Sequence, residues 1–113
     1  MTRKPTPAIQ DILDAIEGVE NVTAGKTLAD YESDWLLKHA VERAIEIISE
    51  ASRRIPADLR ETRPEIPWRD VGTIGNVLRH EYQSVSSRII WNVVKNDLPK
   101  LKAAVQFIAE QMK

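Results

Sequence analysis

Apolar residues at helical spacing, cut into segments by prolines and glycines, constrain the fold of this chain more than any other feature of it. Thr6-Pro7 reads as an N-cap followed by a proline at the first helical position. Ile9, Ile12, Leu13, Ile16 and Val19 then recur along one helix face, and Asn21 to Lys26 breaks the pattern. Thr27 and Asp30 have capping-box spacing, with aspartate in place of the longer glutamate. A helix is expected from Tyr31 to Arg54, with room for an early break. Its apolar face is carried by Trp35, Val41, Ala44, Ile45, Ile48 and Ala51, and Pro56 closes it. Pro56 to Pro67 predicts a short helical turn and an irregular connection. From Trp68 a further helix runs to about Tyr82, with Val71, Ile74 and Leu78 as its buried side. Gly72 and Gly75 lower its intrinsic helicity, so packing must hold it. Val85 to Val94 forms a fourth helical pattern, with Ile89-Ile90 and Val93-Val94 as its apolar pairs. Pro99 opens a last helix containing Leu101, Val105, Ile108 and Met112. The fold class is all-α: a compact antiparallel bundle of four to five helices with short connections.

At 113 residues there is room for one domain, residues 1–113, and for one small core. Three tryptophans in so small a chain read as core or half-buried anchors, or as part of a subunit interface, and a homodimer is expected. A net charge of -1 argues against broad electrostatic binding of nucleic acid but leaves a local basic cleft open. With no cysteine, and two histidines far apart, disulfides and thiolate sites are excluded and no metal or other cofactor is expected. No apolar core follows Met1 to Pro7 and no run is long enough to span a bilayer, so a cytoplasmic location away from membranes is expected.

One stretch stands out for chemistry. Ile74-Gly-Asn-Val-Leu-Arg-His-Glu-Tyr82 gathers a fixed positive charge, a proton-transfer group and a phenol at the end of a predicted helix. Each has a plainer reading. His80 can cap its helix, Arg79 can pair with a surface carboxylate, Asn76 can serve as a structural hydrogen-bonder, and Tyr82 can be an ordinary half-buried phenol.

The ordered set Ala40-Val-Glu-Arg-Ala-Ile-Glu-Ile-Ile-Ser-Glu-Ala51, Ile66-Pro-Trp68, Asn76-Val-Leu-Arg-His-Glu-Tyr82, Ile90-Trp91 and Asp97-Leu-Pro99 resembles the HepT-like proteins of the HEPN superfamily, over nearly the whole chain. The resemblance implies a dimer of helical bundles with the polar motif of both subunits facing a shared cleft. It also implies one half of a toxin–antitoxin module, whose partner is a minimal nucleotidyltransferase of the MntA type. Several such proteins are metal-independent RNases, and the partner neutralises them by transferring AMP to the motif tyrosine, here Tyr82. The family motif is an arginine, four or more residues, a histidine, one residue and a tyrosine. His80 and Tyr82 match it, and Asn76 matches the asparagine after the arginine, but Gly75 stands where the arginine belongs. Arg79 is the nearest substitute. Gly75 has two readings: close approach of helices at the dyad, or loss of nuclease activity in a chain kept for partner binding.

Metal-free RNA cleavage needs a base for the ribose 2′-hydroxyl proton, an acid for the leaving 5′-oxygen and positive charge on the phosphorane. Histidine suits the proton transfers and an arginine fork suits the phosphate. His80 is therefore assigned to proton transfer, Arg79 to phosphate binding, Asn76 to orientation, and Tyr82 to hydrogen bonding or modification. Asn76 and His80, four apart, share a helix face, whereas Arg79 and His80 diverge by about 100°. One helix cannot easily supply an acid/base pair, but two copies across a dyad can. Arg43 and Glu50 are candidate supports of the cleft, and His39 is left as a surface or interface residue. The alternative function is a non-catalytic partner or AMP-modification substrate of a nucleotidyltransferase.

Overall fold

The computed structural model describes residues 6–81 and 86–112, and the side chains of all of these except Thr6, Arg79, His80 and Glu81. The described residues hold helices and no strand: α1 (Thr6–Thr23), α2 (Leu28–Ser33), α3 (Trp35–Ser52), α4 (Ala57–Arg60), α5 (Trp68–Glu81), α6 (Ser87–Asn92), a π-helical turn (Val93–Asp97) and α7 (Leu98–Gln111). The all-α expectation holds.

Local chemistry sets the boundaries. α1 runs three residues into the stretch expected to break it, with Thr23 Oγ donating back to the Val19 carbonyl at 2.7 Å. Gly25 then takes the left-handed conformation (φ 73°) that ends a helix cheaply only at glycine. The capping box at α2 is real. Thr27 Oγ accepts from the Asp30 N–H at 3.1 Å, and Asp30 accepts from the Thr27 N–H at 2.9 Å. These bonds hold the Asp30 carboxyl below its ordinary pKa. The early break falls at Asp34, whose extended backbone ends α2 and whose carboxylate caps α3 through the Leu37 N–H.

Four helices make the bundle. α3 packs between α1 and α5, and α7 lies along the other side of α1. Ion pairs give the directions. Arg54, just past the end of α3, meets Asp11 near the start of α1, while Lys102 near the start of α7 meets Glu20 near the end of α1. Both packings are therefore antiparallel. Ile12, Ile16 and Val19 of α1, Val41, Ile45 and Ile48 of α3, and Leu101, Val105 and Ile108 of α7 close the core between them.

Two expectations need correction. Trp35 is not on the apolar face of α3; it sits 71% exposed in the first turn, because the buried stripe has the phase of Leu37, Val41, Ile45 and Ile48. Ile90 is buried but its neighbour Ile89 is 55% exposed, as two adjacent helical residues must point about 100° apart. Pro99 sits in the first turn of α7, as expected, although no break precedes it. α6, the π turn and α7 form one continuous rod, with the Leu98 N–H reaching back five residues to the Val93 carbonyl. Inside an α-helix the Pro99 ring would press on the carbonyl of Lys95 and leave it without its donor; the wider π turn moves that carbonyl aside.

The remaining tryptophans are half-buried anchors. Trp68 donates its indole N–H to the carbonyls of Arg60 and Arg63, at 3.0 and 3.1 Å, pinning the proline-rich connection to the start of α5. Trp91 lies 5.4 Å from Tyr31, ring to ring, with Lys95 over its face. Tyr31 is fully buried and its hydroxyl has no partner among the described residues. Burial first, and the Glu42 charge second, push this phenol well above its usual pKa.

Candidate active site

α5 carries the motif, and its seat on α3 is unusually close. Gly75 donates its N–H to Ser49 Oγ at 3.1 Å, and Ser49 is itself 1% exposed. A Cβ at position 75 would stand 2.8 Å from both Ser49 Cβ and Ser49 Oγ, and 3.5 Å from the Glu46 Cα. One turn earlier, Arg53 lays its stem over Gly72, where a Cβ would meet Arg53 Cγ at 3.2 Å, and donates Nη1 to the Gly72 carbonyl. Two glycines three residues apart thus let α3 grip the backbone of α5 through a serine and an arginine.

The contact fixes the register. Arg53 lies against Gly72, while Ser49 and Glu46 lie against Gly75, so α3 and α5 run antiparallel. Arg43, Glu46, Ser49 and Arg53 follow one stripe of α3 at spacings of three and four. Continued in the same register, this stripe brings the turn of Arg43 beside the last turns of α5.

The predicted site residues distribute as follows. Asn76, Arg79 and His80 all belong to the last turns of α5, and Asn76 is exposed. The side chains of Arg79 and His80 lie outside the described residues, as does Tyr82 entirely. Arg43 is exposed and pairs with Glu46 at 3.2 Å. Glu50 faces the other way, holding Arg54 at 3.1 Å while Arg54 also reaches Asp11 of α1 at 2.7 Å. Two hydrogen-bonded carboxylates raise the Arg54 pKa further above its already high value. His39, exposed on α3, stacks on Trp35 and sits 2.8 Å from the Trp35 carbonyl through Nδ1. Among the described residues, no three His, Asp or Glu side chains converge as a metal site would require.

Gly75 is explained differently from either reading of the sequence. It makes a close approach to α3 of the same chain, and no side chain longer than hydrogen fits there at this helix spacing. Ser49 and Arg53 were not among the residues singled out from the sequence. Ser49 lies within the Ala40–Ala51 stretch that carries the resemblance and Arg53 just beyond it, but what each does depends on the register against Gly72 and Gly75.

Comparison with known proteins completes the picture. Residues 12–108 match the family model described as "Ribonuclease HepT-like". The chain is 41% identical over 102 residues to "Probable ribonuclease HepT" of Thermococcus cleftensis, covering 90% of this chain and 93% of that protein. It is 35% identical over 100 residues to "Putative RNase MJ1380" of Methanocaldococcus jannaschii, covering 88% and 92% respectively. No solved structure matches it.

Proposed function

This chain belongs to the ribonuclease HepT-like family, and we propose that it is a metal-independent endoribonuclease acting through a cleft between two copies. The observation that carries the proposal is the family match across residues 12–108, which includes Asn76, Arg79 and His80 on one helix. In the reaction, the ribose 2′-oxygen loses its proton to a base and attacks phosphorus. The bond to the 5′-oxygen then breaks, and that oxygen takes a proton from an acid. His80 moves the protons, Arg79 neutralises the phosphorane, and Asn76 orients His80. Each helix carries one histidine, so the second proton-transfer group comes from His80 of a second copy.

The same reading makes the chain one half of a toxin–antitoxin module with a minimal nucleotidyltransferase. That partner transfers AMP from ATP to the Tyr82 hydroxyl, releasing pyrophosphate. The bulky, charged product at the end of α5 blocks RNA. A second reading, that the chain is only the substrate of this partner, draws on the absence of an arginine at position 75, where the α3 contact leaves no room for one.

One experiment separates the two. Purified protein free of AMP is incubated with mixed RNA in EDTA, alongside His80→Ala and Arg79→Ala, with its mass in solution measured in parallel. The ribonuclease reading predicts cleavage by the wild-type dimer and its loss in both variants. A folded dimer that leaves RNA intact, yet gains the mass of AMP from the partner, supports the second reading.

A further inference from the structure

We propose that Arg53 is an RNA-binding residue, holding a phosphate of the bound strand other than the one cleaved; this rests on the ribonuclease reading above. The family resemblance asks for an arginine at position 75, and the contact with Ser49 excludes any side chain there. Besides Arg79 at the end of α5, the α3–α5 seam offers Arg53, on the turn that faces Gly72.

Arg53 is built to receive an anion. Its stem is held over Gly72 and one of its five N–H donors is spent on the Gly72 carbonyl, so the planar fork is oriented before any ligand arrives. The residue is nonetheless exposed. Its charge also has no ion-pair partner among the described residues. Arg43 pairs with Glu46, Arg54 with Asp11 and Glu50, and Arg63 with Glu65, whereas no carboxylate among the described residues pairs with Arg53. Ordering such a long side chain normally costs rotamer entropy, and the tether to Gly72 has already removed much of that freedom.

Position decides which phosphate. Gly72, where Arg53 is tethered, precedes His80 by eight residues, roughly 12 Å along a helix axis. A group that far away cannot share the scissile phosphate with His80. It meets a neighbouring one, so Arg53 sets the register of the strand rather than the chemistry.

The test uses the full chain carrying His80→Ala, which removes cleavage, and a fluorescent single-stranded RNA. Affinity is measured by anisotropy across a salt series in EDTA, with and without Arg53→Met or Arg53→Lys. Methionine keeps a stem over Gly72 without charge, and lysine keeps the charge without the fork. Losing one phosphate contact on a single strand should make the slope of log K against log salt shallower by about 0.7. We expect that change for Arg53→Met, with affinity about tenfold weaker at low salt, and an unchanged slope for Arg53→Lys. A purely structural role would leave the Arg53→Met slope at the parent value, and that result overturns the proposal. Absence of RNA binding by the parent protein at every salt concentration overturns the ribonuclease reading as well, and so is told apart.

Discussion

Replacing Gly75 by alanine tests the α3–α5 seam most sharply, because two effects of known size oppose each other. Alanine is favoured over glycine inside a helix by about 1 kcal/mol. The added methyl, however, would lie 2.8 Å from Ser49 Cβ and Oγ, and Ser49 Cβ cannot swing away, being fixed to the α3 backbone. The helices must separate. That costs about 1–3 kcal/mol of overpacking strain, and the Ser49–Gly75 hydrogen bond, worth about 1 kcal/mol, goes with it. The net expectation is destabilisation of about 1–3 kcal/mol, or roughly 4–12 °C in Tm for a domain of this size. Thermal melts followed by circular dichroism measure it. Two controls sharpen the reading. Gly18→Ala, on the exposed side of α1 with nothing within 4 Å, should stabilise by about 0.5–1 kcal/mol. Gly72→Ala, whose Cβ would meet Arg53 Cγ at 3.2 Å and Ser52 Oγ at 3.8 Å rather than fixed backbone, should fall between Gly75→Ala and Gly18→Ala. Adding Ser49→Gly to Gly75→Ala should recover part of the loss. A Gly75→Ala protein as stable as Gly18→Ala would refute the close seating of α5.

Other consequences follow from the same structure. Tyr31→Phe removes a buried hydroxyl without a described partner and should stabilise by up to about 1 kcal/mol. It should also flatten the alkaline limb of stability. The folded phenol titrates above its unfolded value, so the unfolded chain releases its proton first, and stability falls as pH rises beyond about 10; melts at pH 7 to 11 show it. Thr27→Ala should cost about 1 kcal/mol through the lost cap, measured by urea unfolding at neutral pH. Asp30 works in the opposite sense to Tyr31: its pKa is depressed, so its contribution is lost as pH falls through and below its unfolded value near 4. Arg54→Gln, which breaks an exposed network with Asp11 and Glu50, should cost less than about 1 kcal/mol and matter less at high salt, as equilibrium unfolding at two ionic strengths would reveal.

Much of this was readable along the chain, and the misses share a cause. The stripes of α1, α3 and α7 are local periodicities, and the Thr27–Asp30 box is a contact across three residues, so both were visible. Trp35 was misplaced because its size outweighed its phase; Leu37, two residues on, begins the buried stripe. Pro99 in the first turn of α7 follows a local preference of proline and is equally legible, whereas the π turn before it carries no sequence signal. In the candidate site, Asn76, Arg79 and His80 were legible from spacing within one helix. Ser49 and Arg53 were not, since their partners lie 26 and 19 residues away and are chosen by helix register. Gly75 shows both limits at once: its departure from the family motif was plain, and its reason is tertiary.

Cleavage chemistry at the end of α5 is the central function proposed for this chain. The most direct measurement is digestion of a defined RNA by the purified, unmodified dimer in EDTA, beside the same oligonucleotide lacking every 2′-hydroxyl. Attack by the 2′-oxygen, with His80 moving the proton, predicts that the RNA is cut to products ending in a 2′,3′-cyclic phosphate. It also predicts that the deoxy strand survives and that His80→Ala cuts neither. Equal cutting of both strands, or full activity in His80→Ala, would contradict it.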